Sequence, residues 1–183
     1  MALERFKNVT ALAEQVGLYL SGAMRSSFTG QGRGGIQWNG RAVPNRIGIL
    51  LDLKAGKPPP TRRFDARPAG SDTGALRRSV TYSVSGNTVT VGSKLNYASD
   101  VQRGSTKTIQ VDDGLKKAIS AWLKGLKGAQ QAAARKSFGF MLAKGFSAFT
   151  TQVPARPFVT LCPEDRKRIS ELARAFFANG GKP

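Results

Sequence analysis

The 183-residue chain contains no histidine. That absence removes Ser-His-Asp and Cys-His nucleophile pairs, histidine-bearing zinc sites and the usual acid or base near neutral pH. Its one cysteine, Cys162, cannot close an internal disulfide. With no histidine to hold its thiolate, it reads as a small buried hydrophobe. Acids are scarce, 11 Asp plus Glu. A two-metal nuclease needs clustered carboxylates, whereas Asp52, Asp65, Asp72 and Asp100 stand apart in different loops. No catalytic, cofactor or metal site is therefore expected. No run of about 18 apolar residues occurs, so no membrane-spanning helix and no membrane partner is expected. The start, Ala2-Leu3-Glu4-Arg5-Phe6-Lys7, is charged from the outset and unlike a secretory leader, and the expectation is a protein made in a reducing cytosol.

Two glycine motifs lack the context their chemistry needs. Gly30, Gly32 and Gly35 spell GxGxxG, but a dinucleotide site needs a strand before it and a helix after it. Here a helix precedes and Ile36-Gln37-Trp38 follows, so the stretch reads as a flexible loop. In Gly56-Lys57-Pro58 and Gly181-Lys182-Pro183, proline stands where a phosphate-binding loop requires Ser or Thr.

What the chain has in abundance is positive charge: 29 Lys plus Arg, for a formal +18. Self-repulsion on that scale points to a polyanionic or acidic partner. The cations are scattered, with Arg62-Arg63, Arg77-Arg78, Lys116-Lys117, Arg135-Lys136 and Arg166-Lys167-Arg168 in five segments. A sequence-independent nucleic-acid binder is one reading. An RNA-reading sheet would show aromatics on adjacent strands, and Tyr82 with Tyr97 is too few.

The length suits one α+β domain over 1–183, with a long loop at 30–71 and a helical, basic insertion at about 105–150. Residues 2–24 place Leu3, Phe6, Val9, Leu12, Ala13, Val16, Leu20, Ala23 and Met24 at helical spacing, with Ser26-Ser27 and the glycines ending the helix. Trp38 is expected to anchor the long loop by packing, and Ile47 to Leu53 reads as a short apolar run within it. Asp72 or Thr73 can cap a short turn. Val80, Tyr82 and Val84 alternate with polar residues, as do Val89 and Val91 beyond Gly86-Asn87, which predicts an antiparallel hairpin with one wet face. Asp112-Asp113 can cap a helix carrying Leu115, Ala118, Ile119, Trp122, Leu123 and Leu126 up to Gly128. Residues 129–147 suggest a second helix, although Phe138, Phe140 and Leu142 could alternate as a strand. Pro154 to Leu161 reads as an extended segment ready to pair at a sheet edge. Cys162-Pro163-Glu164-Asp165 opens a last helix whose apolar stripe is Ile169, Leu172, Ala173, Phe176 and Phe177.

The succession of Asp72-Thr73-Gly74-Ala75-Leu76-Arg77-Arg78-Ser79-Val80, Val89-Thr90-Val91-Gly92, Asn96-Tyr97-Ala98, Gln102-Arg103-Gly104 and Pro154-Ala155-Arg156-Pro157-Phe158 resembles the tail-completion or virion-morphogenesis proteins of Mu-type contractile-tailed bacteriophages. The resemblance spans roughly residues 1–104 and 150–178; the interval from Gly104 to Pro154 departs from it. It implies a twisted antiparallel sheet packed on N- and C-terminal helices, and a subunit that closes a ring, usually sixfold, at the neck of the virion. Such a ring caps the tail tube and sheath and docks to the head connector, with double-stranded DNA passing through its lumen. It would be assembled in the bacterial cytoplasm. Six copies at +18 would carry a formal +108, which only DNA or acidic neighbours could neutralise. Arg77, Arg78, Arg103 and Arg156 are the candidates for lumen or inter-subunit contacts.

Overall fold

The computed structural model describes residues 9–39, 45–60, 63 and 73–180. Leu3, Phe6, Arg62, Asp65 and Asp72, all invoked above, lie outside them. In chain order the elements are α1 (Val9–Gly30), β1 (Gly32–Arg33), β2 (Ile36–Gln37), α2 (Arg46–Lys54), α3 (Ala75–Ser79), β3 (Val80–Ser85), β4 (Thr88–Ser93), α4 (Ala98–Arg103), β5 (Ser105–Gln110), α5 (Asp113–Gly125), α6 (Gly128–Phe138), a 3-10 turn (Gly139–Leu142), β6 (Ala148–Val153) and α7 (Pro163–Ala178). The class is α+β. In place of one sheet, the described residues form three two-stranded antiparallel ladders, β1–β2, β3–β4 and β5–β6.

The chain divides into two compact units. The first comprises Met1–Asn39, Pro68–Arg103 and Ala155–Pro183. Its core is Met24 and Phe28 of α1, Trp38, Leu76, Val80, Ala98 and Phe158. Trp38 is 4% exposed and meets Phe28 edge-on with ring centroids 5.4 Å apart, which is the packing anchor expected of it. Helix α1 runs past Ser26 and Ser27 and ends at Gly30, the first of the glycines expected to end it. The hydroxyls of Ser21, Ser26 and Ser27 donate back to the carbonyls of Leu18, Ala23 and Met24, so they stay satisfied within the helix, and Phe28 supplies apolar burial beyond them. The glycine stretch is no loose loop: Gly34 and Gly35 at φ 59° and 77° turn β1 back onto β2.

The β3–β4 hairpin takes the expected register. Val84 pairs with Val89 and Tyr82 with Val91, Gly86 sits at φ 56° in the turn, and Thr81, Ser83 and Ser85 face outward. Arg25 of α1 ties the helix to this hairpin by donating from Nε and Nη2 to the Val80 carbonyl at 2.9 and 2.7 Å. The N-cap of α3 is Gly74, at φ 69° and with no side-chain cap, in place of the cap expected from Asp72 or Thr73; the Thr73 hydroxyl accepts from the Ala75 amide at 3.3 Å, and Asp72 lies outside the described residues.

The second unit joins Gly40–Arg67 to Gly104–Pro154, so the long loop and the basic insertion share one core. Ile49, Leu50 and Leu53 pack with Ile109, Val111, Leu115, Ile119, Leu123, Ala134, Phe138, Met141 and Phe149. The apolar run at 47–53 is helix α2: Asn45 accepts from the Gly48 amide at its start, and Ile49, Leu50 and Leu53 fall on one helical face. Asp112 caps α5 as expected, accepting from the Leu115 amide at 2.8 Å. Residues 129–147 keep helix only to Phe138, because Phe138 and Met141 both turn inward and a 3-10 turn serves that spacing better than continued α-helix. Strand β6 then pairs in full with β5, Phe149 opposite Ile109 on the buried face and Thr150 hydrogen-bonded to Thr108 on the wet one.

Candidate functional site

The four candidate arginines lie in the first unit on elements that share its core, through Leu76 of α3, Ala98 and Val101 of α4, and Phe158. No bond links the four to one another among the described residues. Arg77, Arg78 and Arg103 are exposed. Arg78 folds back on its own turn, donating from Nη2 to the Thr73 carbonyl at 2.9 Å. Arg156 differs. It is half-buried, its Nη2 reaches the Asn39 carbonyl at 3.3 Å, and burial lowers its pKa below the ordinary arginine value.

The two motifs around Arg103 and Arg156 do meet, through a residue whose role the sequence concealed. Gln102 Oε1 accepts from the amides of Phe158 and Val159 at 3.0 and 2.9 Å, and its Nε2 donates to the Val159 carbonyl at 3.0 Å. The Arg156 amide donates to the Val101 carbonyl at 2.8 Å. A side-chain amide carries a donor and an acceptor at peptide spacing, so Gln102 does for residues 158–159 what a neighbouring strand would do. The sheet-edge pairing expected of Pro154–Leu161 is thus replaced by one glutamine and a buried Phe158. A helical glutamine followed by Arg-Gly gives no sign of this in one dimension.

A second constellation, absent from the sequence reading, is built on the start of α7. Arg33, on the short β1 strand, sends Nη2 to Asp165 Oδ2 at 2.7 Å, Nε to the Thr160 carbonyl at 2.7 Å and Nη1 to the Ala23 carbonyl at 3.0 Å. Asp165 also accepts from the Tyr19 hydroxyl at 3.1 Å and the Cys162 amide at 2.8 Å. The side chains of Arg33 and Asp165 are 8% and 4% exposed. Burial raises the Tyr19 hydroxyl's pKa, with its bond to Asp165 adding to the rise. Burial likewise pushes the Cys162 thiol up, which keeps it neutral as its surroundings suggest.

A cleft of about 350 Å³ opens beside this pair, lined by Tyr19, Ser26, Ser27, Arg33, Cys162 and Glu164 among others. Arg33 and Asp165 are committed to holding α1, the β1–β2 turn and α7 together, the work of a brace. The sequence hint was weak: an acidic residue two places after the helix-opening proline marks a cap, but nothing in it names Arg33 as the partner.

The positive charge is uneven. The second unit holds 15 Lys and Arg against 4 Asp and Glu, a formal +11, and the first holds 14 against 7, a formal +7, although the second is the smaller. On α5, Lys117 and Lys124 are exposed two helical turns apart on one face, and Lys127, Arg135, Lys136 and Lys144 are exposed after it. Two of this unit's four acids are engaged elsewhere, Asp52 by Arg63 at 3.1 Å and Asp112 by its helix amide. Among the described residues no cluster of three or more Cys, Asp or Glu could hold a metal ion, and no helix is long and apolar enough to cross a membrane. No family model, curated protein or solved structure matches this chain.

Proposed function

We propose that the chain is a structural subunit of a phage neck, closing with copies of itself into a ring that caps the tail tube and sheath and joins the tail to the head connector in the virion. The observation that carries this reading is the state of the strands. Among the described residues each of β3, β4, β5 and β6 pairs with one strand only, so each has an edge with no second strand beside it. Two-stranded ladders are marginal alone, and an open edge is a template for another chain. A subunit built to meet its copies gains by keeping such edges. The ordered motif series that resembles tail-completion proteins supports the same assignment, and the +18 charge suits a ring through which DNA passes or onto which acidic rings stack. Arg77, Arg78 and Arg103, all exposed, remain the proposed lumen or inter-subunit contacts.

The test is the mass of the purified protein in solution, followed by imaging for rings and for capping of tail tubes. Closed oligomers, six copies being the expectation, support the reading; a chain that stays monomeric at all concentrations and never caps tubes overturns it. The second reading, a sequence-independent nucleic-acid binder, is favoured by the +11 gathered on the second unit. A tight complex of one chain with DNA and no self-association would establish it instead.

A further inference from the structure

Among the described residues, two buried donors in the first unit lack acceptors: Trp38, 4% exposed, has no hydrogen-bond partner for Nε1–H, and Arg156 has none for Nε–H. Leaving a buried donor unmet is destabilising, and native chains rarely leave one without cause. These two belong to one locality. Arg156 Nη2 reaches the carbonyl of Asn39, the residue after Trp38. The rings of Trp38 and Phe158 both pack on Phe28, with centroids 5.4 and 5.3 Å from it, and Phe158 lies two residues beyond Arg156. Both groups are donors, so neither can satisfy the other. What would satisfy both is an acceptor.

The charge balance narrows the acceptor. Arg156 forms no ion pair among the described residues, and burial alone lowers its pKa, with no carboxylate set against that burial. The Nε and Nη2 edge of a guanidinium is the fork that takes two oxygens of a carboxylate or phosphate. A neutral carbonyl already meets Nη2, at a long 3.3 Å, and leaves Nε bare. We propose that Trp38 and Arg156 form an oxyanion-binding site, in which the guanidinium edge and the indole N–H take the oxygens of a carboxylate or phosphate group. The site would be filled by a small anion or by an acidic side chain of a docking protein; a phosphate fixed in a stiff duplex is poorly placed to reach an indole buried to this depth. The site stands whether or not the chain forms rings.

The test is thermal unfolding of the full-length chain at constant ionic strength, with chloride replaced stepwise by inorganic phosphate or by acetate. An anion that binds only the folded state raises Tm saturably. The wild type is expected to gain stability in phosphate, and Arg156→Gln to lose that gain through an apparent affinity about tenfold to hundredfold weaker. Lys94→Gln removes the same charge from an exposed position and is expected to keep the gain. Trp38→Phe deletes the N–H together with part of the buried indole volume, so it is expected to lower Tm in chloride and, measured from that baseline, to shrink the gain in phosphate. An equal gain in acetate shows that the site takes either oxyanion, and a gain in phosphate alone assigns it to phosphate groups. The proposal falls if the wild type responds alike to all three anions, or if Arg156→Gln and Trp38→Phe both keep the wild-type response.

Discussion

Residue 17 has room for no side chain at all. A Cβ built on Gly17, in the middle of α1, would lie 2.2 Å from Cδ2 and 2.8 Å from Cγ of Tyr82. Glycine inside a helix costs roughly 0.5–1 kcal/mol relative to alanine, so propensity alone would favour Gly17→Ala. The clash opposes it, because clearing Cδ2, Cε2 and Cγ together requires the whole Tyr82 ring to leave its packing against α1. Overpacking of this kind costs about 1–3 kcal/mol, so Gly17→Ala is expected to be destabilised on balance in urea unfolding. Tyr82→Ala in the same chain should recover part of the loss, and a Gly17→Ala variant more stable than wild type would refute the contact. Cys162, at 6% exposure with its thiol pushed up by burial, is expected to react with iodoacetamide at pH 8 roughly a hundredfold more slowly than in the unfolded chain. Labelling at the unfolded rate would show the thiol to be open.

Among the elements, α7 depends on its first turn more than on its length. Of its 16 residues only Asp165 and Phe176 are buried, so the fit of the helix rests on one carboxylate and a thin apolar stripe. Asp165→Ala would leave the buried Arg33 guanidinium without its counter-charge, at a cost of about 3–5 kcal/mol. Chemical denaturation is expected to show that loss, and the pair Arg33→Met with Asp165→Leu should recover part of it, since the stranded charge is gone while the Cys162 amide and the Tyr19 hydroxyl still lack their acceptor. If the double variant is no better than Asp165→Ala, the pair does more than cancel charge. Helices α5 and α7 and the β3–β4 hairpin were legible in the sequence because period, cap and turn residues agree in each. Helix α2 was hidden because an apolar run of seven residues fits a strand as well as a buried helix face. Strand β6 was hidden by Gly145 and the aromatic cluster before it, and the roles of Gln102 and Arg33 because their partners lie 56 and 132 residues away. Periodicity reports which face is buried, never which distant carbonyl a side chain will meet.

For the whole molecule, salt separates the two functional readings because it acts on them with opposite sign. Bringing copies of a +18 chain together opposes like charges, and the Debye length falls from about 30 Å at 0.01 M to about 10 Å at 0.1 M salt. If copies of the chain are its own principal partners, raising salt across that range weakens the repulsion and the mean mass in solution rises. If DNA is the principal partner, each phosphate neutralised releases counterions on binding, and affinity falls as salt rises. Charge reversal sharpens the contrast. Lys117→Glu with Lys124→Glu changes two exposed positions on α5 and lowers the second unit from +11 to +7 without touching a buried residue. In a ring subunit this variant is expected to assemble at lower salt than wild type, as light scattering would register. In a DNA binder it should weaken duplex binding at all sequences alike and flatten the salt slope. An assembly that salt disperses, with the double variant assembling less readily than wild type, would mean that attraction between unlike charges holds the copies together, and the lysine-bearing face of α5 would then be the surface that meets an acidic neighbour.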